Sequence, residues 1–168
     1  VLDACLPTDT IAYILDNCNV PIFADSVSPA KSHRIFNALS PTLSIHTLKM
    51  NCAEAQEVIR KEITESADMD AVAEALHQKG VKRVFITLGA HGCYYHDADG
   101  GIHLPCEKVE VTNTCGAGDA FLAGAAFAFL KGLDNESTIK CALRAAAITV
   151  QCNEAVNPEI NEKYVLCE

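Results

Sequence analysis

The segment VKRVFITLG, residues 81–89, is the clearest buried strand in the chain. Its apolar residues form one compact run, which is typical of a strand inside a parallel sheet whose two faces are both covered. A helical pattern over residues 68–79 precedes it and ends at Gly80, a residue type that commonly terminates helices. A helix followed directly by a buried strand predicts an α/β protein.

The same alternation continues on both sides of this strand. Apolar runs predict strands at residues 20–24 and 44–48 before it, and two short strands at 93–96 and 101–104 after it. Helical patterns mark the remaining segments, which are residues 8–17, 29–39, 53–60, 68–79, 119–131 and 136–152. We therefore predict an α/β/α arrangement with a mostly parallel central sheet, and such sheets bind ligands at the carboxyl ends of their strands.

Composition narrows the class of protein. The chain of 168 residues suits one domain, and its net charge of −9 without a Lys/Arg cluster argues against a nucleic acid or an anionic membrane as partner. The longest apolar run, residues 120–130, is shorter than the roughly 20 residues that span a bilayer. The nine cysteines are odd in number and form no C-x-x-C motif, so we expect reduced, buried thiols in a soluble, cytoplasmic protein.

Three polar loops follow the predicted strands and should open on one edge of the sheet. The loop DSVSPAKS, residues 25–32, carries a carboxylate and Lys31, and the second loop carries Asn51 and Glu54. The third, LGAHG, contains two glycines. Lys31 is either a solvated helix charge or a contact to substrate or phosphate. Asn51 and Glu54 either cap the helix that follows them or belong to a ligand site.

A glycine-rich helix start adds a fourth polar element. The stretch TNTCGAGDAFLAGAAFAFL, residues 112–130, places Gly116, Ala117 and Gly118 immediately before Asp119 and an apolar run. Unpaired N–H groups at a helix start favour an anion, and Asp119 could accept a proton from an attacking hydroxyl. The alternative is a tight turn with Asp119 as a helix-capping acid. The stretch matches neither a Walker A loop nor a Rossmann fingerprint.

Taken together, these loops resemble one known family. NTCGAGDAF is similar to the second signature of the ribokinase-like (PfkB) carbohydrate kinases, usually D-T-x-G-A-G-D-x-F. Asn51-x-x-Glu54 resembles the N-x-x-E element of that family, and TLGAHG, residues 87–92, resembles its T-L-G-x-x-G nucleotide loop. Within the family, DSVSPAKS and TLKMNCAEA look most like pseudouridine kinases, in which the segments read approximately D-P-V-S-x-x-K and L-K-P-N-x-x-E-A.

The resemblance implies roles for individual residues. It makes Asp119 the general base, and it makes Gly116, Ala117 and Gly118 an anion hole in which Gly118 also contacts the nucleotide. Asn51 and Glu54 would organise magnesium with ATP, and Asn51 would also contact the nucleotide. The remaining nucleotide contacts that it implies are Thr87, Gly89 and Gly92, with Leu143 near the adenine. The implied cofactors are ATP and Mg²⁺.

The resemblance also implies a reaction and an incomplete domain. We expect an ATP-dependent kinase for the 5′-hydroxyl of a ribosyl substrate, best matched by pseudouridine, with another sugar or nucleoside kinase or a nucleotide-binding remnant as alternatives. The predicted partner is a small nucleoside or sugar, and a homodimer is left open. Asn113, Glu154 and Pro158 depart from the family's usual Asp, Gly and Ser, which argues against potassium activation. We expect residues 1–168 to form a single partial kinase domain, without the amino-terminal strands and lid of the family.

Overall fold

The computed structural model describes residues 1–166, which form two compact units. The first unit comprises residues 1–89 and 94–103, and the second comprises residues 90–93 and the described residues from 104 onward. The strands are β1 Leu2–Asp3, β2 Phe23–Asp25, β3 Ile45–Asn51, β4 Val81–Thr87, β5 Cys93–Asp97 and β6 Gly100–Leu104. The helices are α1 Thr8–Asn17, α2 Pro29–Ala38, α3 Cys52–Ile59, α4 Ser66–Gln78, α5 Ala117–Leu130, α6 Asn135–Val150 and α7 Glu162–Leu166.

The sheet has six strands in the order β1-β2-β3-β4-β5-β6, and its first four strands are parallel. Each of these four follows its neighbour in the chain, and helices connect them. Because such crossovers are almost always right-handed, an order that advances in one direction puts α1 to α4 on one face of the sheet. The neighbouring pairs α1–α2, α2–α3 and α3–α4 pack against each other, as this arrangement requires.

The core of the first unit lies between this helical layer and the sheet. Ile11 of α1, Ile35 of α2 and Leu76 of α4 are fully buried in one apolar cluster with Leu48 and Val84 of the central strands. Each helix buries one stripe of apolar residues, whereas β4 buries residues on both faces, as the run in VKRVFITLG predicts.

The second unit is organised around the close packing of α5 on α6. Gly124 allows this approach, because a Cβ atom there would lie 3.0 Å from the Cα atom of Ala142 and from the Cβ atom of Ala145. Val165 of α7 joins the same apolar cluster. Among residues 1–166, no helix is long and apolar enough to cross a membrane.

The structure confirms the predicted α/β class and the mostly parallel sheet, with differences at element ends. The strand predicted at residues 20–24 occupies Phe23–Asp25, because Pro21 has no N–H group for a sheet hydrogen bond. The strand predicted at 44–48 continues to Asn51 in β3. Helix α5 begins at Ala117, two residues before the predicted start, and α7 is not predicted.

The prediction of reduced, buried cysteines is confirmed in part. The cysteines within residues 1–166 are free thiols. Cys93 and Cys141 are buried, whereas Cys5 and Cys115 are exposed. Cys167 lies outside the described residues.

Candidate active site

The carboxyl ends of the four parallel strands form one polar edge in the first unit. Asp3, Asp25 and Lys49 occupy the same level across β1, β2 and β3, because each is the register partner of the next. Asn51 and Thr87 pair in the same way across β3 and β4. The loops that follow β2, β3 and β4 therefore open on one edge of the sheet, as the sequence predicts.

Asn51 and Glu54 form a complete capping box at the start of α3. The Asn51 side chain accepts from the Glu54 N–H at 2.9 Å, and Glu54 Oε2 accepts from the Asn51 N–H at 2.8 Å. The Asn51 Nδ2 group also donates to Glu54 Oε1 at 2.8 Å. These bonds satisfy amide groups that every helix start leaves open. The capping role is therefore present, and a role toward magnesium stays a prediction.

Glu54 has a third donor that belongs to a different loop. Its carboxylate accepts from Ser26 Oγ at 2.5 Å, and both residues are only 1% exposed. A carboxylate offers about four lone-pair positions, of which Oε2 uses two and Oε1 uses one. One position on Oε1 remains for a further donor, such as a metal-bound water. Ser26 could not be predicted as part of this site, because a serine in a loop carries no sequence signal of a distant partner.

The donors at this edge fit a magnesium ion that is shared with phosphates. Mg²⁺ commonly takes one or two protein carboxylates and fills its remaining positions with waters and substrate phosphates. Glu54 is one carboxylate at this edge, and its role toward Mg²⁺ stays a prediction. Within residues 1–166, no group of three or more His, Cys, Asp or Glu side chains is arranged to hold a metal by itself.

A buried ion pair lies beside this carboxylate. Lys49 Nζ is 2.8 Å from Asp25 Oδ2, and the two side chains are 7% and 8% exposed. Asp25 Oδ1 accepts from the N–H of Val27, a residue with a φ of 65°. The sequence leaves two roles for Lys31, a solvated charge or a ligand contact. In the structure its Nζ donates to Cys5 Sγ at 3.3 Å.

The predicted nucleotide loop begins where β4 ends. Thr87 is the last residue of β4, and its Oγ1 donates to the Met50 carbonyl at 3.4 Å. Gly89 has a φ of 58° and opens a short 3₁₀ turn, Gly89–His91. A residue with a side chain rarely adopts this conformation, so the turn requires glycine.

Gly92, at the end of the same motif, belongs to the second unit. It has a φ of 90°, and a Cβ atom there would lie 2.0 Å from the Leu104 carbonyl oxygen. Leu143, predicted near the adenine, is a half-buried residue of α6.

The glycine-rich stretch forms the start of α5. Gly116 is the N-cap with a φ of 79°, and a Cβ atom there would lie 1.9 Å from the Ala155 carbonyl oxygen. The Ala117 N–H donates to the Thr114 carbonyl at 3.3 Å, whereas the Gly118 N–H has no acceptor within the described chain. Asp119 is exposed in the first turn. The helix start thus presents a free amide and an exposed carboxylate.

Asn113 holds the loop that precedes this helix. Its Oδ1 accepts from the Cys115 N–H at 3.0 Å, and its Nδ2 donates to the Asn153 carbonyl at 2.9 Å. Both ends of the amide are used in bridging two segments of the second unit.

The fold defines a ribokinase-like α/β protein. Its structure matches Arabidopsis thaliana ribokinase complexed with ribose and ATP with a TM-score of 0.80 and 25% sequence identity, over 99% of this chain and 54% of that one. The family model of the pfkB family carbohydrate kinases matches residues 9–162. The chain therefore belongs to the pfkB family of carbohydrate kinases, as the sequence motifs predict.

Two curated relatives are similar in sequence to most of this chain. The pseudouridine kinase of Escherichia coli (strain K12) is 34% identical over 169 aligned positions, which cover 99% of this chain and 53% of the relative. The uncharacterized sugar kinase YeiI of the same organism is 32% identical over 148 positions, or 88% of this chain and 40% of the relative. The chain thus spans about half the length of the curated relatives that it matches.

Proposed function

We propose that this chain is the nucleotide-binding and catalytic-base part of an ATP-dependent kinase that converts pseudouridine to pseudouridine 5′-phosphate. The observation that carries the kinase proposal is the start of α5, where Gly116 caps the helix in a left-handed conformation and Asp119 is exposed. Support for pseudouridine as the acceptor comes from the 34% identity to a pseudouridine kinase over 99% of the chain.

The proposed chemistry uses the helix start twice. Asp119 accepts the proton of the 5′-hydroxyl of the acceptor. The 5′-oxygen attacks the γ-phosphorus of ATP, the bond from that phosphorus to ADP breaks, and ADP leaves. The amide groups of Gly116, Ala117 and Gly118 face the phosphoryl oxygens, on which negative charge is spread during transfer. The Gly118 N–H suits this role, because it has no other acceptor within the described chain, whereas the Ala117 N–H also donates to the Thr114 carbonyl.

The remaining residues hold the nucleotide in this proposal. Thr87, Gly89 and Gly92 form the loop beside it, and Leu143 lies against the adenine. Asn51 and Glu54 would hold magnesium together with its waters and the nucleotide phosphates. When bound, the metal neutralises charge on the phosphates.

Two alternatives stand beside this proposal. The 32% identity to the uncharacterized sugar kinase YeiI supports a different sugar as the acceptor. The second alternative is a unit that binds nucleotide without catalysing phosphoryl transfer.

A coupled assay tests the proposal. Pseudouridine, ribose, adenosine and fructose are each supplied with ATP to this chain, and to a chimera that carries ahead of Val1 the part of the E. coli pseudouridine kinase that precedes its matched region. We expect turnover of pseudouridine by the chimera and little by the chain alone, because positioning the acceptor contributes roughly 7–11 kcal/mol to barrier reduction. Calorimetric titration of the chain alone with ADP and Mg²⁺ should still show weak binding.

The outcomes separate the candidates. Preference for ribose or fructose by the chimera supports another sugar kinase. Nucleotide binding without turnover in either protein supports the remnant. Absence of nucleotide binding by both proteins contradicts the kinase proposal itself. Full turnover by this chain alone would show that the acceptor site lies within residues 1–168.

A further inference from the structure

The bond from Ser26 to Glu54 is not needed to cap α3. The capping box is complete with Asn51 and Glu54, which exchange bonds between neighbouring residues of one helix start. Ser26 lies 28 positions earlier in the chain, in the loop after β2, and its hydroxyl reaches the same carboxylate at 2.5 Å. The bond therefore joins two segments that lie far apart in the chain.

The Ser26 hydroxyl donates its single proton to the Glu54 carboxylate. Ser26 Oγ is 2.5 Å from Glu54 Oε2 but 3.4 Å from the Lys49 carbonyl, and it can donate to only one of them. Short O–H···O distances of about 2.5–2.7 Å are typical of bonds to a charged carboxylate. The geometry thus favours Ser26 as a donor to the carboxylate.

The Ser26 backbone is held in place on both sides. Its N–H donates to the Lys49 carbonyl at 3.2 Å, and its carbonyl accepts from the Ser28 N–H at 2.7 Å. The hydroxyl is therefore presented from a fixed loop, and both Ser26 and Glu54 are 1% exposed. Loss of the hydroxyl leaves Oε2 with one donor fewer.

We propose that Ser26 is a positioning residue that orients the Glu54 carboxylate toward a nucleotide-bound magnesium ion. Asn51 donates to both Oε1 and Oε2, and Ser26 donates to Oε2, so these three bonds hold the carboxylate and the open lone pair of Oε1 in one orientation. This inference rests on the proposed function, because it assumes that Glu54 serves magnesium.

The test measures how much Mg²⁺ strengthens ADP binding. The Kd for ADP is determined by calorimetry on the 168-residue chain, once with Mg²⁺ and once with EDTA, and the ratio of the two values is compared among variants. We expect Ser26→Ala to lower this ratio about tenfold and to leave the Kd in EDTA unchanged, since partners that orient metal-binding groups affect affinity by about 10–100-fold. Ser26→Thr, which keeps the hydroxyl, should retain the wild-type ratio.

A matched control removes a different buried hydroxyl of the same segment. Ser32 is 2% exposed, and its Oγ donates to the Pro29 carbonyl at 2.9 Å, away from Glu54. Ser32→Ala should keep the wild-type ratio. If Ser26→Ala does not fold, Ser26→Cys provides the same comparison with a weaker donor of similar size.

A double variant distinguishes orientation from general damage. In a Glu54→Gln background, Ser26→Ala should have no further effect on the ratio, because residues that act through one contact are not additive. An unchanged ratio in Ser26→Ala, or equal losses in both backgrounds, overturns the inference while the proposed function stands. A wild-type chain that binds no ADP, or binds it equally with and without Mg²⁺, overturns the inference together with the magnesium role of Glu54.

Discussion

Lys49 and Asp25 form a buried ion pair between neighbouring strands, with 2.8 Å between Nζ and Oδ2. The two residues are register partners at the carboxyl ends of β3 and β2. Their side chains are 7% and 8% exposed, so neither charge has much access to water. The pair therefore ties the loop after β2 to the strand that leads into the capping box.

Removing one member of this pair should be costly. We expect Lys49→Met to lower the free energy of unfolding by roughly 3–5 kcal/mol, because it leaves a buried carboxylate without its counter-charge. The double variant Asp25→Asn, Lys49→Met should recover part of this loss. Denaturant unfolding followed by circular dichroism measures both.

The control for this prediction is an exposed ion pair. Lys140 and Glu136 pair at 2.6 Å on α6, with side chains 60% and 61% exposed. Glu136→Gln should change the free energy of unfolding by no more than about 0.5 kcal/mol. Equal effects of Lys49→Met and Glu136→Gln would show that burial does not strengthen the Asp25 pair.

Replacing Asp119 should lower turnover and leave nucleotide binding intact. In the chimera described above, Asp119→Asn should lower kcat by about 10²–10⁴-fold, since an amide cannot accept the proton of the attacking hydroxyl. Steady-state kinetics and the Kd for ADP are measured on the same preparation. Asp134→Asn is a suitable control, because Asp134 also lies at a helix start, where it caps α6 through the Ser137 N–H. A kcat close to that of wild type in Asp119→Asn would remove Asp119 from the chemistry.

Val27 carries backbone strain that a different residue should relieve. Its φ of 65° lies in the left-handed region, which is unfavourable for β-branched residues and tolerated by asparagine. We expect Val27→Asn to raise the free energy of unfolding by about 1 kcal/mol and to raise Tm accordingly. Val20→Asn, at an exposed position without this conformation, should have little effect. A lower Tm in Val27→Asn would mean that the valine side chain contributes packing that exceeds the strain.

Asp68 should make stability depend on acid pH. A hydrogen bond from Lys61, at 2.5 Å, and another from the Thr64 N–H, at 2.9 Å, hold the pKa of its carboxyl well below the usual range. Because the pKa is lower in the folded state, the stabilisation is complete above the unfolded pKa of about 3.9 and is lost as pH falls below it. Asp68→Asn should therefore have a lower Tm than wild type at pH 7, and the difference should shrink below about pH 4. A difference that is constant from pH 7 to pH 3 would contradict this linkage.

The sequence alone determined the succession of elements from α1 to α6 and the location of the polar loops. Continuous apolar runs such as residues 81–87 predict buried parallel strands, and parallel strands place the loops that follow them on one edge. The G-A-G-D stretch predicts a helix start, which the structure places at Ala117. These signals are local, since each depends on residues within a few positions of one another.

Only the tertiary structure decided which side chains meet across that edge. The bond from Ser26 to Glu54 and the pair of Asp25 with Lys49 join residues that lie 28 and 24 positions apart. They depend on the register between β2 and β3, because a shift of one residue would turn Lys49 to the opposite face of the sheet. Such contacts have no local sequence signal, since the energy that selects them comes from packing the whole first unit.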